Sequence, residues 1–215
     1  MNSGGALFQP KTREPIRYSS VLVTEGRDMF GFCLALVRHL GLDQQIEVRN
    51  GGGLPDFHDY FQDLVNISGF ANVFSLGVIR DTDTNPHGAF QAVCAGLQRA
   101  NLPTPNAPLQ PTIAPPLPRV TVHLLPDPKT PGMLETLCWR ALAGDQRLPC
   151  VEEYLNCVRK QTGQPIAYED KSRVYSYIAG REQPWLLLGQ AAHANFFPWT
   201  SPVFDETRSF LQGLV

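Results

Sequence analysis

A chain of 215 residues, 43% of them hydrophobic and with a formal net charge of −2, can bury a core of its own, as one large domain or one domain with an appendage. The near-neutral balance excludes tight binding of duplex nucleic acid through bulk charge, so any such contact needs a local patch or a bridging metal. No run approaches the roughly 18 apolar residues of a membrane helix, and Met1 to Tyr18 lacks a signal-peptide pattern, so a cytoplasmic protein without membrane contact is expected.

Ser20 to Glu25 (Ser-Val-Leu-Val-Thr-Glu) is a β-branched run closed by an acid and Gly26. Arg27-Asp28 and the amphipathic stretch Met29 to Leu40 follow, with Gly41 as a stop, which reads as strand, tight turn and helix. Glu25 then sits at a strand's carboxyl end, where its simplest role is a solvated charge or a partner for Arg27. Asp28, at a helix start, is suited to cap free N–H groups.

Gln45 to Asn50 alternates apolar with polar, as a strand near a sheet edge does. Gly51-Gly52-Gly53 breaks the chain; without a following Gly-Lys-Ser/Thr it is no Walker loop, and a plain turn is favoured over a phosphate cradle. Leu54 to Ile67 carries Phe57, Phe61, Leu64 and Val65 at helical spacing.

Val73 to Asp81 is an apolar run that stops abruptly at Asp81-Thr82-Asp83-Thr84-Asn85-Pro86. It reads as a buried parallel strand opening into a loop, with a capped helix over His87 to Asn101. Asp81 and Asp83 stand where open parallel sheets bind their ligands, although an Asx turn with a helix cap would use the same residue types. His87 is the one histidine near this loop, and none of the five has metal-ligand spacing.

Leu102 to Pro118 holds seven prolines and reads as an extended surface crossover rather than a docking ligand. Arg119 to Pro126 is a fourth strand followed by Asp127. Beyond it the pattern is helical: Gly132 to about Ala143 with Glu135 in the first turn as electrostatic trim, Val151 to Gln161, Lys171 to Gly180, then an aromatic-rich tail. The five cysteines, Cys33, Cys94, Cys138, Cys150 and Cys157, are odd in number without a Cys-x-x-Cys pair, which argues for reduced core thiols over a disulfide framework or a zinc site.

The chain is thus expected to be an α/β protein, with a mostly parallel four-stranded sheet flanked by helices over residues 18–127 and a helical extension over 128–215 packed on it. A strand ending in Glu25-Gly26 and another ending in Asp81-x-Asp83 resemble the Toprim domain of topoisomerases, DnaG-type primases, small ribonuclease maturases, recombination proteins and OLD-family nucleases. Over the whole chain, the Val-x-Val-Thr-Glu-Gly start, the Gly-Met-Leu-Glu segment and the aromatic tail resemble a bacterial family of uncharacterised, OLD-nuclease-like Toprim-related proteins. The resemblance implies a Toprim-like (Rossmann-like) fold, Glu25 as catalytic acid or base, and Asp81 and Asp83 as ligands of Mg2+ or Mn2+, with Glu25 within reach of the same ion. It implies accessory roles for Gly26, Arg27, Asp28, Asn85, Asp127, Glu135 and Lys171.

One departure from the family pattern is Asn85, where many Toprim enzymes carry a third acid; an amide there favours one magnesium over two. Another is the lack of a domain bearing a topoisomerase's tyrosine. The resemblance therefore points to a metal-dependent nuclease or phosphotransferase acting on nucleic-acid phosphodiesters, with Arg27, Arg80 and Lys171 as phosphate contacts. The alternative is a non-catalytic module binding nucleotide, nucleic acid, a partner protein or a second copy of the chain.

Overall fold

Four short strands lie side by side in a computed structural model that describes residues 14–53 and 57–215. They are Ser20–Thr24 (β1), Ile46–Asn50 (β2), Ser75–Asp81 (β3) and Arg119–Leu125 (β4), in the spatial order β2-β1-β3-β4. Every neighbouring pair is parallel, so all four carboxyl ends share one edge. Parallel strands need crossovers on the sheet faces, and the helices supply them: Gly26–His39 (α1), Phe57–Leu64 (α2), Pro86–Arg99 (α3), Leu134–Ala141 (α4), Leu148–Thr162 (α5), Glu169–Ala179 (α6), Leu188–His193 (α7) and Asp205–Gln212 (α8). The expected α/β architecture with a helical C-terminal region is what the chain adopts. Strand ends differ from expectation by one or two residues, and the Leu54 to Asp56 start of the second expected helix lies outside the described residues.

Strand alternation divides the core in two. Val21, Val23, Leu76, Val78, Val120, Val122 and Leu124 pack under Phe57, Phe61 and Leu64 of α2 and Phe90, Val93 and Leu97 of α3. On the other face Leu22, Ile79 and Leu125 meet α1 and the helices α4 to α8 in one continuous apolar cluster. Phe32, Trp199 and Phe204 interlock there with ring centroids 5.3 to 5.7 Å apart. Burying each such ring contributes about 1.5–3 kcal/mol, so the tail is an integral layer of the core.

Both sheet edges are covered. The proline tract runs along β4, where Leu109 N–H donates to the Val122 carbonyl at 2.8 Å and Thr112 exchanges two backbone bonds with Val120. It is the structural crossover its composition suggests, and it leaves little of that edge open to another strand. At β2 the buried Arg49 donates to the Glu14 carbonyl at 2.6 Å and pairs with Glu47, while the Arg17 N–H donates to Glu47 Oε2 at 2.8 Å. The last helix is tied to the first strand by Ser20 Oγ, which donates to the Leu214 carbonyl at 2.7 Å. Gly77 makes this approach feasible, because a Cβ there would stand 2.7 Å from Leu214 Cδ1.

The cysteines depart from expectation. All are free, but only Cys33, Cys94 and Cys138 lie in the core; Cys150 and Cys157 are exposed. The reason is local: α5 buries only Val151 and Leu155, which leaves its remaining faces in solvent.

His123 on β4 is fully buried, with Nε2 3.0 Å from Thr207 Oγ1 and Glu206 Oε1 3.9 Å from Nδ1. Burial pushes its pKa down to about 3, so the ring is neutral at pH 7 and the Glu206 contact is no ion pair. The arrangement superficially matches a hydroxyl, histidine and acid relay, but Thr207 and His123 are both sealed from solvent. Because the unfolded chain protonates this imidazole near pH 6.5 and the folded chain does not, stability is lost as pH falls below about 6.5. Between pH 7 and pH 5 the loss is about 2 kcal/mol. Urea denaturation at both pH values should show it as the difference between the wild type and His123→Asn, the variant losing about 2 kcal/mol less between pH 7 and pH 5.

Candidate functional site at the carboxyl edge

The site begins where β1 ends. Glu25 is the N-cap of α1, with extended φ −84° and ψ 115°, and its side chain makes no capping bond. Gly26 turns the chain with φ +77°, a conformation that costs a residue with a Cβ about 1 kcal/mol or more. The turn is held by the glycine loop: Gly26 N–H donates to the Gly52 carbonyl at 2.9 Å and Gly51 N–H to the Thr24 carbonyl at 2.8 Å. Gly52 N–H is itself donated to Asn50 Oδ1 at 2.9 Å. Gly51 and Gly52 therefore serve as a strand-end brace.

Thr24 and Ile79 are partners in the sheet register, and this brings Glu25 beside Arg80 rather than Arg27. Glu25 Oε2 lies 3.0 Å from Arg80 Nε, and Asp83 Oδ2 lies 3.8 Å from Arg80 Nη2. Arg27 is exposed. Burial raises the Glu25 carboxyl above its usual range, Arg80 opposes that rise, and Asp83 adds to it.

Asp81 turns to the opposite face of β3. Its Oδ1 accepts from the Leu134 N–H at 2.8 Å, at the start of α4. Glu135, next along, is only 5% exposed and pairs with Lys171 Nζ at 3.2 Å. This differs from the expected solvated helix-start charge, because α4 begins against the sheet edge. Asp81 keeps some exposed surface, yet its carboxyl is pushed well above the usual range, first by burial, then by Glu135 and Glu25; the Leu134 N–H opposes this and Asp83 adds to it. Burial alone would lower the Lys171 ammonium, but Glu135, Asp28 and Asp81 outweigh it and the net shift is upward. The neighbouring thiols of Cys33 and Cys138 are pushed up by burial and by Asp81, with Glu135 also acting on Cys138, so neither is a thiolate at pH 7.

The loop between the two aspartates is fixed from below. Thr82 is buried, and its hydroxyl lies 2.9 to 3.1 Å from the carbonyls of Leu125, Thr130 and Gly132, donating to one at a time. Gly132 N–H donates to the Asp83 carbonyl at 2.7 Å, and Asp83 takes the left-handed φ of +49° that Asp tolerates better than most residues.

Several sequence-derived candidates have structural tasks. Asp28 does not cap α1; it accepts from the Tyr175 hydroxyl at 2.7 Å and from the Gly189 N–H at 3.1 Å, joining α6 and α7 to α1. Asn85 is the N-cap of α3, accepting from Gly88 N–H at 2.9 Å. Asp127 lies two residues beyond β4 and closes its own turn, accepting from the Lys129 and Thr130 N–H groups at 2.9 Å. Burial would raise its carboxyl, but these bonds and those from the Thr130 hydroxyl and Arg140 outweigh it and bring it down. His87 is exposed in the first turn of α3.

Among the described residues no three of His, Cys, Asp and Glu are gathered so as to hold a metal ion as they stand. The donor set is still chemically suited to Mg2+ or Mn2+: Glu25, Asp81, Asp83 and Glu135 offer only oxygens, as hard cations prefer. The upward push on Asp81 from three neighbouring carboxylates is negative charge that a cation would relieve. Arg80 and Lys171 supply part of that relief now.

A family model described as "Protein of unknown function (DUF3226)" matches residues 19–215. No curated protein matches the chain. Among solved structures, the C-terminal region of the OLD protein of Xanthomonas campestris pv. campestris aligns with 91% of this chain and 95% of its own, at 13% identity and a TM-score of 0.40.

The Glu135 and Lys171 pair yields a test. Lys171→Met should destabilise the protein, since it leaves a buried carboxylate facing Asp81, and Glu135→Gln should offset most of that loss. A double-mutant cycle read by urea denaturation should give a coupling of about 1 kcal/mol, modest because the lysine is half-exposed.

Proposed function

The chain belongs to the family of proteins of unknown function DUF3226, and we propose that it is a magnesium-dependent protein of Toprim type acting on nucleic-acid phosphodiesters as a nuclease. The observation that carries this reading is the placement of Glu25, Asp81 and Asp83, with Glu135 behind them, at the carboxyl edge of a parallel sheet, where burial and then Glu135, Glu25 and Asp83 raise the Asp81 carboxyl. Such edges are where open α/β sheets bind their ligands.

Asp81 and Asp83 would hold the metal, with Glu25 within reach. When bound, the ion would neutralise charge on a phosphodiester oxygen. Glu25, whose carboxyl is raised by burial, is suited to take a proton from an attacking water or return one to the leaving oxygen. The Asp81 loop is fixed by Thr82 and by the Leu134 N–H, which orients one carboxylate oxygen and leaves the other to a ligand. Arg27 and Lys171 lie on exposed or half-exposed positions from which phosphate oxygens could be met.

A second reading is a non-catalytic module that binds nucleotide, nucleic acid or a protein. It is favoured by the pairing of Arg80 and Lys171 with three of the four carboxylates. A cleavage screen over single-stranded, duplex and structured nucleic acids with Mg2+ or Mn2+ separates the two. The nuclease reading expects metal-dependent cleavage that falls by about a hundredfold or more in Glu25→Gln; absence of cleavage on every substrate favours the module.

Metal binding is testable without any substrate. At a hundred times the dissociation constant, a cation that binds only the native state stabilises by about 2.7 kcal/mol, roughly a 5–10 °C rise in Tm for a chain of this length. Asp81→Asn should abolish most of that rise and lift the metal-free Tm, because one repelling charge is gone while the amide oxygen still accepts from Leu134. An unchanged wild-type Tm at millimolar magnesium would count against the site.

A further inference from the structure

Arg80 occupies a position that strand alternation reserves for an aliphatic side chain. It follows Leu76 and Val78 on the face of β3 packed against α2 and α3, and it is 4% exposed. Its Nε and Nη1, and Glu25 Oε2 opposite, make no hydrogen bond of acceptable geometry, although Nε and Oε2 are 3.0 Å apart. The contact is therefore a close charge pair whose hydrogen bond is poorly directed. The same molecule satisfies another buried guanidinium well: Arg49 donates from Nε to Glu47 Oε1 at 2.8 Å and from Nη2 to the Glu14 carbonyl at 2.6 Å. A buried cation with open donors between two carboxylates is costly unless its charge has a task there.

We propose that Arg80 is a tethered counter-cation that competes with a divalent metal for Glu25 and Asp83. This rests on the reading above that these acids, with Asp81, receive a cation. In the metal-free protein the guanidinium offsets their repulsion. Because its stem is fixed in the core, it cannot leave when a metal arrives. Glu25 and Asp83 must exchange a loose ion pair for metal coordination while a positive charge stays nearby, and this weakens metal affinity. Arg80 thus sets how much metal is needed before the acids are drawn together.

Calorimetric titration of Mg2+ and Mn2+ into the wild type, Arg80→Met, Arg80→Lys and Asp81→Asn tests this. Arg80→Met should bind about tenfold tighter or more, since a unit charge beside a divalent ion is removed from a poorly solvated site. Its metal-free Tm should fall, and Arg80→Lys should return affinity toward the wild-type value. Equal or weaker binding by Arg80→Met, while Asp81→Asn still impairs binding, overturns the role of Arg80 and leaves the metal site standing. No binding by the wild type or Arg80→Met overturns both. Binding by Arg80→Met alone supports the competition directly. Should Arg80→Met fail to fold, the wild type answers through the 15N resonance of Arg80 Nε: a shift that saturates with the calorimetric Kd supports the proposal, and a resonance unmoved by saturating Mg2+ overturns it.

Discussion

Repulsion among carboxylates at one end of the sheet is the constraint around which this molecule is arranged. Parallel pairing places Glu25 and Asp81 on a common edge, where burial disfavours their charged forms. The C-terminal helices answer that repulsion. The start of α4 gives Asp81 a backbone donor, and α6 brings Lys171 to Glu135 and the Tyr175 hydroxyl to Asp28. The sheet answers it too, by placing Arg80 next to last in its third strand, where an aliphatic residue would otherwise fit. Packing of the tail and electrostatics of the edge are thus parts of one solution.

Strands are readable in the sequence as apolar runs or, for β2, as an apolar–polar alternation, each closed by an acid, a glycine or a turn, and Glu25 and Asp81 inherit their positions directly from those ends. Roles that depend on distant partners were not readable. Glu135 has the local signature of a helix-start charge, and only Lys171, far along the chain, shows that it is buried and paired. Asp28 looks like a cap until Tyr175 and Gly189 claim its oxygens. Arg27 is the obvious partner for Glu25 by proximity in sequence, yet the β1 and β3 register selects Arg80. Asp127 illustrates the converse: it resembles the other strand-end acids, but its carboxylate is spent on the turn it closes. A local reading locates such residues and cannot assign what they touch.

The glycine loop and the proline tract show composition read well at one level and incompletely at another. Both were expected as irregular structure. The first proves to brace the Gly26 turn through backbone bonds, and the second to cover β4. In each case the backbone groups that composition leaves unpaired within the segment are satisfied on a neighbouring strand end or edge.

The bond from Ser20 to the Leu214 carbonyl, with Leu214 seated over Gly77, bears on how the chain acquires this structure as it is made. The central strands emerge from a ribosome well before part of the cover for one of their faces, which is supplied by the segment around Leu214. At about 5–20 residues per second, β1 and β3 spend on the order of ten seconds with that face covered by α1 alone, and the sheet cannot close until residue 214 has cleared the exit tunnel. An unfinished parallel sheet exposes nascent apolar surface during that interval.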